Sequence, residues 1–423
     1  MSDSITIHLQ QELRRRIVLP TSKSLSNRAL LLSALSGGGS DVVRPSDCDD
    51  TRVMQRALRE RTECIDIQAA GTAMRFLTAY LANCPGEGHV ITGTERMRQR
   101  PIGVLVEALR QLGADIGYVE REGCPPLRIG GRRLRGGRLA MRGDVSSQYV
   151  SALLMVAPAM AEGLVLELEG EVASRPYIDM TLALMQHFGA QAEWTTDRTI
   201  RVLPGGYRRG VRFEVESDWS AASYWYELMA LTTNREARVV LPWLHRESLQ
   251  GDAAVRTFFA PLGVHTEFTA EADGTPVAVL TKCREEQLPE GEVLELDLLC
   301  QPDLAQTLVV TCAMLRRPFR FTGLQSLRIK ETDRVAALQA ELLKFGIELE
   351  ATPDGSELHI FRYTAGVPAY DGRPLLTYAD HRMAMAFAPA ALVAGPLRME
   401  HPEVVSKSYP AFWGDLMGVE RGL

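Results

Sequence analysis

Two kinds of apolar stretch alternate along this 423-residue chain. The first kind carries a charged face. LVEALRQLGADIGYV, TLALMQHFGAQAEWT, VRTFFAPLGVHTEF and LQAELLKFGIELEAT each predict an exposed amphipathic helix, a turn and an alternating strand. MQRALRERTECIDI follows the same course without a clear turn glycine. Gly113, Gly189, Gly263 and Gly346 stand where a helix C-terminal cap is expected. The second kind opens on a polar or glycine-containing entry and then runs apolar with few charges. Its members are KSLSNRALLLSAL, AGTAMRFLTAYLA, VSSQYVSALLMVA, SDWSAASYWYELMAL, PDLAQTLVVTCAML and DHRMAMAFAPAAL. Such helices are buried nearly all round.

Ser26, Thr72, Ser147, Ser220, Asp303 and Asp380 mark equivalent points in the second series. They recur roughly every 75 residues, with the first interval shortened, which predicts six copies of a duplicated subdomain. One buried and one exposed helix per copy places helices in the middle and sheets around them. That is an α/β fold unlike a doubly wound sheet. No GxGxxG follows a first strand and no P-loop occurs, so a nucleotide fold lacks its signature.

Length predicts two or three domains, or one large divided one. An apolar content of 46% supplies a core and excludes a disordered chain or a fibre. Lys and Arg number 47 against 53 Asp and Glu, a net charge of -6, which argues against a general nucleic-acid binder. Seven cysteines without a CxxC pair point to a reducing compartment rather than a disulfide framework. MSDSITIHLQ carries no apolar targeting core, and no run of eighteen apolar residues occurs. A cytoplasmic protein without a membrane span is expected.

Several buried helices begin with cations that a cap does not need. Helix N-termini offer unpaired N–H donors and a positive field, so a cleft onto which they converged would bind small anions. In TSKSLSNRALLLSAL, Lys23, Ser24 and Arg28 reach one such point. In RIKETDR, Lys330 and Arg334 share a face if the segment is helical, with Glu331 beside them as an acid or base. TYADHRMAM puts Asp380, His381 and Arg382 at the mouth of a buried helix. In ERMRQRPIG, Arg96, Arg98 and Arg100 would point one way along an extended strand. Ser146, Ser147 and Gln148 suit a phosphate or hydroxyl group, or else only cap a helix. Ser174, Arg175 and Tyr177 precede another. The eight His are scattered, and neither HExxH nor a GxSxG elbow is present. Carboxylates among cations suit proton transfer with charge stabilisation and no cofactor or metal.

LPTSKSLSNRALLLSAL, AGTAMRFLTAYLA, RPIG, SSQYVSALLM, SRPYID, RIKETDR, DHRMAMAFA and KSYPAFW together resemble the EPSP synthase (3-phosphoshikimate 1-carboxyvinyltransferase) family, an enolpyruvyl transferase family, over residues 19 to 413. The variation is similar to that of copies from Bacteroidetes bacteria. The resemblance implies a two-lobed inside-out α/β barrel of six βαβαββ-type units. One lobe would span 21–214 and the other 1–20 with 215–423, joined by a double-crossover hinge near 20 and 214. It implies transfer of the enolpyruvyl group of phosphoenolpyruvate to the 5-hydroxyl of shikimate 3-phosphate through a tetrahedral intermediate, in the shikimate pathway toward aromatic amino acids. A monomer is the family default.

By motif, shikimate 3-phosphate would be held by Lys23, Ser24, Arg28, Ser146, Ser147 and Gln148, together with Ser174, Tyr177, Asp303, Ser326 and Lys330. Phosphoenolpyruvate would meet Lys23, Gly71, Arg100 and Gln148, together with Arg334, Arg382 and Lys407. Asp303 and Glu331 would move protons, aided by Lys23 and His381. Three departures stand out. Ala69 replaces a usual Asn, Phe76 stands where many members have Pro, and Ser326 stands where Asn is common. Ala69 and Phe76 border the pocket that the family's herbicide, glyphosate, occupies. The rivals are a UDP-N-acetylglucosamine enolpyruvyl transferase, whose reactive loop Cys has no counterpart at Cys84 or Cys124, and a noncatalytic anion-binding protein of the same fold.

Overall fold

A computed structural model describes residues 4–283, 287–289, 291–363 and 369–418. The chain divides into two compact units, each with its own apolar core. The continuous unit is Thr21–Val215, and the split unit joins Met1–Pro20 to Glu216–Leu423.

The repeated motif is strand, buried helix, strand, second helix, strand, strand. One full copy in the continuous unit runs Cys64–Asp66, Gly71–Ala82, Gly88–Thr92, Gly103–Gln111, Asp115–Tyr118, Leu127–Gly130. Its sheet order is first, second, fourth, third; the first pair is parallel and the others antiparallel. Residues 137–202 repeat that pairing. So do the split unit's sheets built on Arg238–Pro242 and Phe319–Thr322. Among the described residues, two copies are abbreviated to strand pairs. Asp41–Val43 runs parallel to Arg212–Glu214, and Leu397–Glu400 runs antiparallel to Ser4–Ile7.

Alternation decides the sheet faces. In Gly137–Arg142, Leu139 and Met141 point inward while Arg138, Ala140 and Arg142 are exposed. The helices Gly71–Ala82, Ala305–Met314 and His381–Phe387 bury every residue. Two of their hydroxyls bond back along the helix, Thr78 to the Met74 carbonyl and Thr311 to that of Thr307, each at 2.7 Å. Gly113, Gly189, Gly263 and Gly346 all take positive φ, from 68° to 99°, and strands follow them. Arg61 fills the same position after Asp49–Glu60, at φ 41°.

The crossing between units exchanges elements. Strand Arg14–Arg16 lies in a split-unit sheet, yet the next helix, Lys23–Leu35, belongs to the continuous unit. Arg212–Glu214 and Trp219–Leu231 make the reverse exchange.

Two local expectations are corrected. Arg96 and Arg98 lie on a helical turn, Glu95–Arg98, instead of a strand; the Thr94 hydroxyl caps it by accepting from Met97 N at 3.3 Å. RIKETDR is not one helix. A 3-10 segment, Gln325–Ile329, ends at Lys330, and Asp333 caps a new helix, Arg334–Leu343, by accepting from Ala336 N at 3.0 Å. Asp favours caps over helix interiors, so the run breaks there.

Candidate active site

In the split unit, Arg334 organises a buried ionic cluster. Its side chain is 1% exposed because the Asp333 cap turns it inward at the first helical position. Nε donates to Asp380 Oδ2 at 2.8 Å, Nη1 to Asp303 Oδ1 at 3.2 Å and Nη2 to Glu331 Oε2 at 3.2 Å. Lys330 Nζ lies 3.4 Å from Asp303 Oδ1, and Arg382 Nη2 donates to Asp303 Oδ2 at 2.9 Å. Lys407 Nζ donates to Glu331 Oε1 at 3.1 Å. Asp380 caps the His381–Phe387 helix, accepting from Arg382 N at 2.9 Å. His381 is buried beside it, with Nδ1 3.8 Å from Asp380 Oδ1. Ser326 lies on the 3-10 segment that leads to Lys330.

Electrostatics follow from this geometry. Burial alone would raise the Asp303 carboxyl, but Arg382, Lys330 and Arg334 outweigh it and hold the group far below the usual carboxylate range. Burial lowers Arg334, and Asp380, Glu331 and Asp303 reverse that, fixing it as a cation. Asp252 behaves oppositely. Burial and the Asp303 charge push it up to about 6, against the pull of Arg382 and of a hydrogen bond from the Ser220 hydroxyl.

The continuous unit holds two further groupings. Lys23 opens the Lys23–Leu35 helix, which Ser22 caps, and its Nζ lies 3.2 Å from Asp50 Oδ2. Arg28, 2% exposed, donates from Nε to Thr181 Oγ1 at 2.7 Å, from Nη2 to Ser151 Oγ at 3.2 Å and from Nη1 to the Ser24 carbonyl at 3.0 Å. The Tyr177 carbonyl accepts from Arg28 Nη2 at 3.5 Å and from Thr181 Oγ1 at 2.8 Å, and the Phe76 ring centroid lies 5.3 Å from the guanidinium carbon. These hydrogen-bond partners are neutral, and burial pulls the guanidinium down to about 10. Ser174, at φ 54°, begins the helix that carries Tyr177.

The second grouping surrounds Gly71. A Cβ built there would lie 2.4 Å from Arg75 Nη1 and 2.9 Å from Arg100 Nη1, so both guanidinia crowd this helix start. Arg75 also faces the Tyr149 ring at 5.7 Å, and the Tyr149 hydroxyl donates to the Pro101 carbonyl at 2.6 Å. Gln148 Nε2 donates to Thr72 Oγ1 at 3.2 Å, and Ser146 caps the Ser147–Val156 helix.

The expected residues thus gather by unit. Asp303, Lys330, Glu331, Arg334, Arg382 and Lys407 meet directly in the split unit, with His381 at the cluster's edge. Ser24, Arg28 and Tyr177 meet in the continuous unit, as do Gly71 and Arg100. Asp252, Asp50, Ser151 and Thr181 were not singled out in the sequence. A charged Asp252 entering the apolar GDAAV stretch is the one visible signal; the others sit in ordinary helical contexts.

A family model described as EPSP synthase (3-phosphoshikimate 1-carboxyvinyltransferase) matches residues 7–62 and 60–416. The chain is 53% identical over 418 residues to a 3-phosphoshikimate 1-carboxyvinyltransferase from Bacteroides fragilis (strain YCH46), with 97% of each chain covered. It is 36% identical over 448 residues to one from Bordetella petrii, covering 97% of this chain and 96% of that one. Among solved structures, an EPSP synthase from Acinetobacter baumannii superposes with a TM-score of 0.73 at 22% identity, covering 97% of each chain. The enolpyruvyl transferase NikO from Streptomyces tendae does so at 0.70 and 14%, covering 98% of this chain and 96% of that one. At these identities the structural likeness is one of fold.

Proposed function

The chain belongs to the EPSP synthase family and transfers the enolpyruvyl group of phosphoenolpyruvate to the 5-hydroxyl of shikimate 3-phosphate, releasing phosphate; we propose that the residues around Arg334, Arg28 and Gly71 carry this out. One observation supports the assignment above the rest. A single buried guanidinium, Arg334, lies 3.2 Å from each of the two carboxylates assigned to proton transfer, Asp303 and Glu331.

Protonation of the methylene carbon of phosphoenolpyruvate develops positive charge on the carbon that bears the phosphate. Glu331, which accepts from Arg334 and Lys407 before the substrates bind, is assigned as the donor. The substrate 5-hydroxyl then adds to that carbon, and Asp303 takes its proton. From the tetrahedral intermediate the C–O bond to phosphate breaks, the departing phosphate taking the proton from Asp303, and a methyl proton returns to Glu331. The proton balance closes without a cofactor.

A carboxylate held as low as Asp303 is a poor base, because its proton affinity lies far from neutrality. Its depressors resolve this. Lys330, Arg334 and Arg382 are the cations proposed to meet the substrates. Their engagement by phosphate and carboxylate weakens their hold on Asp303 and raises its proton affinity when reactants are bound. In the continuous unit, Arg28 offers a buried charge among neutral oxygens, which suits it to the anion of shikimate 3-phosphate, together with Ser24, Ser146, Ser147, Ser174 and Tyr177. Arg100 beside Gly71, with Gln148, is assigned to phosphoenolpyruvate. His381 orients the Asp380 end of the cluster. A monomer acting in the cytoplasm belongs to the same proposal.

The direct test incubates purified protein with both substrates. Stoichiometric phosphate and enolpyruvyl ether are expected without added metal or nucleotide. Absence of phosphate release would sink the reading.

A further inference from the structure

We propose that Glu341, acting through Tyr378 and Lys344, is a positioning residue for the phosphoenolpyruvate end of the site; this rests on the assignment of Arg334 and Arg382 to that substrate. The helix Arg334–Leu343 presents two buried charged side chains, two turns apart. Arg334 grips Asp380. Glu341, 1% exposed at its side chain, grips the chain just before it. Glu341 Oε1 accepts from the Tyr378 hydroxyl at 2.7 Å. Oε2 accepts from Leu376 N at 3.0 Å and from Lys344 Nζ at 2.7 Å, and Lys344 Nζ also donates to the Pro374 carbonyl at 2.7 Å. One helix therefore holds residues 374–380 at both ends.

Between the two grips the backbone does something unusual. Tyr378 and Ala379 both take left-handed conformations, at φ 54° and 53°. A side chain with a Cβ disfavours that region, and two in succession persist only where the surroundings over-determine them. The hydrogen bond from Asp380 N to the Thr377 carbonyl, 2.8 Å, closes the turn. Its result is the aim of Asp380, whose carboxylate meets Arg334 and the N–H of Arg382. Arg382 in turn reaches Asp303. The Glu341 clamp touches no assigned substrate-binding group, yet it fixes the turn from which Asp380, His381 and Arg382 project.

The test is steady-state kinetics on the full chain carrying Tyr378→Phe or Glu341→Gln, with melting temperature measured alongside. KM for phosphoenolpyruvate should rise on the order of 10-fold in each variant, since small misplacements of binding groups are costly. KM for shikimate 3-phosphate should stay within about twofold. A core clamp with no positioning role would lower the melting temperature and leave both KM values alone, and that result overturns the proposal. If Glu341→Gln does not fold, Tyr378→Phe, which deletes one oxygen atom, decides alone. Asp303→Asn is measured in parallel. Full turnover there would refute the site assignment itself, whereas an inactive Asp303→Asn with unchanged KM values in the clamp variants refutes only the positioning role.

Discussion

Arg334 and Asp380 form a two-point ion pair almost wholly excluded from water. Nε lies 2.8 Å from Oδ2 and Nη2 lies 3.3 Å from Oδ1, with side-chain exposures of 1% and 0%. Removing one partner of such a pair strands the other in a medium that solvates it poorly. The two losses are unequal here. Arg334→Met strands the wholly buried Asp380 and weakens the pairing of Asp303 and Glu331, which keep Lys330, Arg382 and Lys407. Asp380→Asn leaves the guanidinium two counter-ions. Arg334→Met should therefore cost about 4 kcal/mol and Asp380→Asn about 2 kcal/mol. Urea unfolding of both variants checks the order; equal losses would contradict it.

Asp303→Ala and Glu331→Ala should each lower kcat by roughly 10²- to 10⁴-fold, the usual worth of a positioned acid or base. Phosphate release measures this, and near-UV circular dichroism verifies that the variants are folded. Full turnover in both would defeat the proton-transfer assignment.

Gly71→Ala places a methyl group into the space held by Arg75 and Arg100. Both guanidinia must withdraw. KM for phosphoenolpyruvate should rise on the order of 10-fold or more, while binding of shikimate 3-phosphate alone, measured by calorimetry, should change little. An unchanged KM would remove Arg100 from the phosphoenolpyruvate site.

Asp252 gives a pH signature of definite sign. Its ordinary value is 3.8 and its folded value about 6, so the folded chain binds the extra proton between them. Its contribution to stability is greatest below about pH 4 and falls as pH rises toward 6, by roughly 3 kcal/mol. Asp303, held low, contributes in the opposite sense: its stabilisation is present above its unfolded value and fades as acid titrates it. Asp252→Asn isolates the first effect. The stability difference between variant and parent should shift in the variant's favour from pH 4 to 6. A flat difference would show that Asp252 titrates normally.

Periodicity made the architecture legible. The four turn glycines take left-handed φ, and the helices chosen for their scarcity of charge, such as Gly71–Ala82, are buried throughout. Both are local consequences of backbone sterics and of one-sided or all-round burial, so a single segment reveals them. Arg61 was harder to see, because a non-glycine residue occupies the left-handed position there. RIKETDR misled for a physical reason. Charge spacing suggested a helical face, but Asp333 ends the preceding segment by capping the next, and Lys330 and Arg334 meet only through Asp303. Asp252 and Asp50 left little trace, since what matters about each is a neighbour far away in sequence: Ser220 and Asp303 for one, Lys23 for the other.

The strand Ser4–Ile7 has its ladder partner at Leu397–Glu400. During translation, Ser4–Ile7 is therefore made well ahead of this partner and lacks the ladder until Leu397–Glu400 follows. Residues 21–215 carry a complete core of their own and can close long before then. The nascent chain thus passes through a stage in which the inner unit can be finished while the strand Ser4–Ile7 is still uncommitted.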